Sequence, residues 1–123
     1  MIRILYGGTF DPVHDGHLAV ADAAAALFDA DVALLPSADP PHRAPPGASA
    51  EQRAAMLALA VQGHPRLHLD RRELCRPGPS YSIDTLIDVR AGIGPDAPLA
   101  WLLGADALRG LHRWHRWRHL FAL

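Results

Sequence analysis

Four short apolar runs, Ile2 to Tyr6, Asp31 to Leu35, Leu67 to Leu69 and Leu99 to Leu103, alternate along the chain with three helix-like segments. No other feature restricts the fold as much. Strands separated by single helices pair in parallel through right-handed crossovers, and both faces of the sheet are then covered. The chain is therefore expected to be α/β: a Rossmann-like, doubly wound parallel sheet with helices on both faces. Its 123 residues suffice for one domain, residues 1–123, and no repeat or linker interrupts them.

The first helix is expected from His17 to Phe28, with Asp15 as N-cap and Gly16 in the first turn; being apolar all round, it calls for packing. The second starts at Ser49, which forms a capping box with Gln52, follows the stripe Met56, Leu57, Ala60 and Val61, and stops at Gly63 and Pro65. The third runs from Ile83 to about Ala91, capped by Ser82 and stopped by Gly92. Gly7 and Gly8 end the first strand and Pro36 the second, while Ser37 to Ala48 and Arg76 to Ser80 read as proline-rich loops. Ligands of such sheets lie at the carboxyl ends of the strands. The unusual residues gather there: Gly7 to Thr9, Pro36 to Arg43, and Gly104 to Asp106.

Gly7-Gly8-Thr9-Phe10-Asp11-Pro12-Val13-His14-Asp15-Gly16-His17 is the turn from the first strand into the first helix. Glycines there let backbone approach a ligand, and the free amides of a helix start face phosphate. The stretch is neither GxGxxG nor a Walker A loop. His14 and His17, three apart at the mouth of the helix, can point both rings at one place, and a triphosphate there is expected to draw positive charge onto the pair. That suits nucleotidyl transfer, in which catalysis is mainly positioning and electrostatics. HxxH supplies two metal ligands with no evident third, so no protein metal site is expected.

The string GGTFDPVHDGH resembles the (H/T)xGH nucleotidyltransferase superfamily, and within it the bacterial nicotinate mononucleotide adenylyltransferases. Five later segments agree in order: Leu35 to Arg43, Arg72 to Leu74, Arg76 to Leu86, Leu103 to Leu108, and Trp114-His115. The resemblance implies adenylyl transfer from ATP, with Mg²⁺, to nicotinate mononucleotide, giving deamido-NAD and pyrophosphate. It places Gly7, Gly8, Thr9, Phe10, His14 and His17 at the ATP, the two histidines being catalytic, and Gly104 with Asp106 at its ribose. His42 and Arg43 would meet phosphates, and Thr85 and the His115 backbone the nicotinate carboxylate. Trp114 would stack on the ring.

Members of that family continue with a fifth strand and an Ile-Ser-Ser/Thr-Thr-x-x-Arg motif. Here the only threonines are Thr9 and Thr85, and no serine follows Ser82, so the chain is expected to match the N-terminal part of the fold, lacking the C-terminal strand and helices, and to turn over slowly. The Leu99 to Leu103 strand becomes an apolar edge, a route to a homo-oligomer. Two alternatives remain: a related nucleotidyltransferase with another acceptor, and a nonenzymatic nucleotide-binding remnant.

A formal net charge of −1 gives no reason to expect nucleic acid or an anionic membrane as partner. All twelve basic residues are arginine, and the basic end from Arg109 to His119 is expected to be a solvated helix face. Glu73 is expected in a surface ion pair with Arg71, Arg72 or Arg76. A lone Cys75 and the absence of an apolar run near 18 residues point to a cytoplasmic protein.

Overall fold

The structure, a computed structural model, describes residues 2–38, 47–76 and 81–123, and for Ala105 and Asp106 the backbone alone. It consists of β1 (Arg3–Gly8), α1 (Asp15–Phe28), β2 (Val32–Pro36), α2 (Ala50–Ala60), β3 (Leu67–Leu69), α3 (Ser82–Ile93), β4 (Leu99–Leu102) and α4 (Ala105–Arg109), with 3₁₀ turns at Val61–Gly63, Leu111–Arg113 and Trp117–Ala122. The strands form one parallel sheet in the order β3-β2-β1-β4. This is the doubly wound arrangement expected.

One face carries Ile4, Tyr6, Val32 and Leu34 against Ala21, Ala24 and Ala25 of α1 and Leu57 of α2. The other sets Leu5 and Leu35 against Leu86 and Val89 of α3, with Trp101, Leu120 and Leu123 beside them. The chain moves from β1 outward through β2 to β3, then returns to place β4 on the other side of β1. The crevice between the carboxyl ends of β1 and β4 is thus the topological switch point, where open α/β sheets bind ligands.

Several boundaries differ from those expected. Gly7 and Gly8 lie inside β1, paired with Leu35 and Pro36 of β2. At Gly7 the missing side chain serves packing: a Cβ would lie 3.1 Å from Cη2 of Trp101 and closer still to Cζ2. Helix α1 is capped by His14, not Asp15. Helix α3 runs past Gly92 to Ile93, where Gly94 takes a positive φ of 88°, and Tyr81 occupies its N-cap in place of Ser82 without a side-chain bond. The Ser49–Gln52 capping box forms as expected.

Helix α1 is not packed all round. Its alanines nest on the sheet, while Val20, Leu27 and Phe28 stay 50, 77 and 48% exposed because no described element covers that side. Strand β4 is half-buried at the edge of the described sheet, and the 3₁₀ turns screen one face of it, leaving an apolar cavity of about 340 Å³ lined by Leu86, Leu99, Trp101, Trp114 and Leu120 among others. The basic end is solvated, as 3₁₀ turns rather than a helix: His112, Arg113, Arg116 and Arg118 are exposed. Among the described residues no helix is long and apolar enough to cross a membrane.

Candidate functional site

A cleft of about 270 Å³ opens at the switch point, lined by Gly7, Gly8 and Thr9 after β1, Ser37 after β2, Trp101 and Leu103 of β4 and its exit, and Glu73, Ser82, Ala107 and Trp114. The turn that leads from Thr9 into α1 holds the histidine pair. The rings of His14 and His17 stack with centroids 3.7 Å apart and planes 27° apart. His17 also stands edge-on to Phe10, at 5.0 Å, and to Tyr6, at 6.2 Å.

Each ring is fixed by a cap made through the same atom. The Gly16 N–H donates to His14 Nδ1 at 3.0 Å, and the His14 N–H donates to His17 Nδ1 at 3.1 Å. A nitrogen that accepts a hydrogen bond carries a lone pair, so in each neutral imidazole the proton sits on Nε2. The caps therefore consume Nδ1 and leave the Nε2–H of each ring for a ligand. A second proton would have to enter at Nδ1 and break a cap. Burial, and then the repulsion a protonated His14 would exert, holds the His17 imidazole below its ordinary range. The caps favour neutral donors over the expected gain of positive charge with a bound triphosphate, and titration with ATP separates the two.

Gly16 is part of this device. A Cβ there would lie 2.8 Å from Cε1 and 2.9 Å from Nδ1 of His14. Gly16→Ala is expected to leave the melting temperature within a few degrees of wild type, because alanine suits a first helical turn, yet to weaken ATP binding about tenfold by displacing one hydrogen-bond donor. Thermal melts and ATP titrations of the same preparation separate the two effects.

Because the folded-state pKa of His17 is lowered, the unfolded chain takes up its proton first as the solution is acidified. Stability is fully present above the unfolded value near 6.5 and falls below it until the folded imidazole also titrates. Urea midpoints measured between pH 8 and 5 are expected to show this loss, and His17→Ala to reduce it.

The residues expected on the acceptor side come together in part. Trp114 lines the cleft and, with Tyr81, Ser82, Arg113 and His115, a second hollow of about 280 Å³ at the start of α3. The Tyr81 and His115 rings stack at 4.4 Å. Thr85 does not join them. It is fully buried, its hydroxyl donating to Glu73 Oε2 at 2.9 Å and accepting from Arg76 Nη1 at 3.1 Å, which uses its one donor internally. Glu73 is accordingly no surface ion-pair residue: it is 6% exposed, and burial pushes its carboxyl above the usual range. Arg76 pairs with Asp88 at 2.6 Å, and its charge partly offsets the effect of burial on Glu73. Gly104 precedes α4 at the cleft margin and Asp106 lies in that helix, its side chain outside the description; His42 and Arg43 lie outside the described residues. Among the described residues no three metal-ligating side chains converge.

Sequence reasoning missed Arg53. It is 2% exposed and donates to the carbonyls of Thr9 at 2.6 Å, Ser37 at 2.8 Å and Ala48 at 3.3 Å. An arginine on a capped helix reads as surface, and no local pattern reveals that three loops converge on it.

Comparison with known proteins agrees with this geometry. Curated relatives named "Probable nicotinate-nucleotide adenylyltransferase" include one from Stenotrophomonas maltophilia, 59% identical over 99% of this chain and 57% of its own length, and one from Xylella fastidiosa, 54% identical over 97% and 55%. The chain thus spans little more than half the length of these relatives. The Plasmodium falciparum nicotinic acid mononucleotide adenylyltransferase complexed with NaAD superposes with a TM-score of 0.82 at 18% identity, covering 97% of this chain and 59% of that one. The same enzyme complexed with APC gives 0.77 at 16% identity, covering 97% and 58%. These two support the fold. A family profile described as cytidylyltransferase-like matches residues 5–123, from the first strand through the His14–His17 turn to the last residue, and the chain belongs to that family.

Proposed function

We propose that the protein transfers an adenylyl group from ATP to nicotinate mononucleotide, forming deamido-NAD and pyrophosphate in NAD biosynthesis, a reaction of the cytoplasm. The observation that carries this reading is the pair of histidines capped through Nδ1, on the turn that continues from the Gly7–Thr9 lining of the switch-point cleft. The names of the relatives support the choice of donor and acceptor.

A phosphate oxygen of the mononucleotide attacks the α-phosphorus of ATP, and the bond from that phosphorus to the bridging oxygen breaks, releasing pyrophosphate. The attacking group is already an anion, so no side chain has to remove a proton. The Nε2–H groups of His14 and His17 hold phosphate oxygens as charge shifts toward the leaving group, with Gly7, Gly8, Thr9 and Phe10 shaping the turn. The site offers N–H donors rather than a carboxylate cluster, so Mg²⁺ would be held by the nucleotide's own phosphates and supplies charge neutralisation. Trp114, with Tyr81, Ser82 and His115, would receive the pyridine ring; His42, Arg43, Gly104 and Asp106 keep the roles the resemblance assigns. With its hydroxyl committed to Glu73, Thr85 would contribute only through the position of α3.

The test is a panel of ATP and CTP against nicotinate mononucleotide, nicotinamide mononucleotide and phosphopantetheine, with products separated chromatographically. Deamido-NAD from ATP and nicotinate mononucleotide as the preferred product supports the reading. Preference for CTP or another acceptor overturns it, and ATP binding without product from any pair favours a nucleotide-binding module.

A further inference from the structure

The Thr9–Phe10 peptide is held in an unusual way. Phe10 has a positive φ of 51°, a conformation rare for a bulky side chain. Its ring is buried against Tyr6, at 5.5 Å, and His17, so the residue cannot relax outward. On the other side Arg53 Nη1 donates to the Thr9 carbonyl at 2.6 Å. The peptide is planar and trans, so its N–H points opposite to its carbonyl: fixing the Thr9 oxygen on Arg53 turns the Phe10 N–H away from Arg53.

That N–H meets no acceptor among the described residues. Phe10 is only 2% exposed, and buried backbone donors are almost always paired. An unpaired donor, four residues before His14 and next to a residue lining the cleft, points to a partner that arrives from outside the chain. A carbonyl that accepts from a cation also polarises its peptide and strengthens the N–H as a donor. Arg53 further joins Ser37 and Ala48 to Thr9, and the Ala48 N–H donates to Asp11 Oδ1 at 3.1 Å, so the turn is tied to the exit of β2 and the entry of α2.

We propose that Arg53 is a positioning residue of the nucleotide site: it holds and polarises the Thr9–Phe10 peptide so that the Phe10 N–H becomes a fixed donor to a nucleotide phosphate. This rests on the reading of the turn as an ATP site. Arg53 itself touches no ligand. Lysine at this position keeps the charge but has a single head group where arginine spans three carbonyls with a planar fork.

The experiment is an amide-resolved NMR titration of the full chain with ATP and Mg²⁺, for wild type, Arg53→Lys and Arg53→Met. The expected result is a downfield shift of the wild-type Phe10 amide proton. ATP affinity should fall about tenfold in Arg53→Lys and further in Arg53→Met. Should Arg53→Met unfold, Arg53→Lys decides: ATP affinity and a Phe10 amide shift both unchanged from wild type overturn the inference. Movement of the His14 and His17 ring signals without the Phe10 amide overturns the inference and leaves the nucleotide site standing. Wild-type affinity in a folded Arg53→Met protein overturns it too, and the absence of any shift on adding ATP overturns both.

Discussion

Replacing Gly7 with alanine is expected to destabilise the fold by about 1–3 kcal/mol, the usual cost of forcing a methyl into a packed site. Backbone freedom is not the reason, because Gly94 has the only positive φ among the described glycines. The reason is Trp101. Strands β1 and β4 pair with Leu5 opposite Trp101, and the indole leans along the sheet to lie over Gly7. An added Cβ must displace either the indole, which also lines the apolar cavity behind β4, or the central strand itself. A double-mutant cycle checks this. Trp101→Phe shortens the ring, and it forfeits no hydrogen bond, since Trp101 Nε1 is buried without a partner among the described residues. In that background Gly7→Ala should cost much less in urea denaturation. An equal cost in both backgrounds means the indole is not what excludes the methyl.

The second large effect is on chemistry. On the proposed function, His17→Ala is expected to slow adenylyl transfer about 100-fold, the scale of losing one preorganised donor at a site of developing charge. The fold should survive, because the lost cap costs about 1 kcal/mol. The choice of replacement separates two explanations. If the site needed positive charge, His17→Lys would restore activity. Lysine has no lone pair for the His14 N–H when charged, and so can neither cap the helix nor hold the neighbouring ring. His17→Gln is neutral, with an oxygen that can accept and an amide that can donate. Partial activity in His17→Gln and none in His17→Lys is the expected pattern, read as initial rates of deamido-NAD formation, and the reverse order contradicts the neutral-donor account.

The parallel sheet was legible because apolar runs alternate with helical patterns, and Ser49 with Gln52 marked a helix start that forms as read. The cap of α1 was misplaced for a physical reason: aspartate is the commoner cap, and nothing local says that an imidazole will accept through Nδ1 instead. The packing constraint on Gly7 was not legible, because it comes from Trp101, far away in sequence and near only after β4 has paired. The same holds for Glu73 and Thr85, which find each other across the loop before α3. Charge alone suggested a surface glutamate, and the resemblance set Thr85 at the nicotinate carboxylate. The histidine pair was visible as chemistry from its spacing. Its protonation state was not, because that depends on hydrogen bonds made within the turn.

The most direct test is an ATP titration observed at the side-chain nitrogens of His14 and His17 near neutral pH. The account predicts that both rings are Nε2–H tautomers before and after ATP, with Nδ1 unprotonated, and that their Nε2–H signals move as the nucleotide binds. Rings that gain a proton at Nδ1 on binding, or signals that stay in place at saturating ATP, would contradict it.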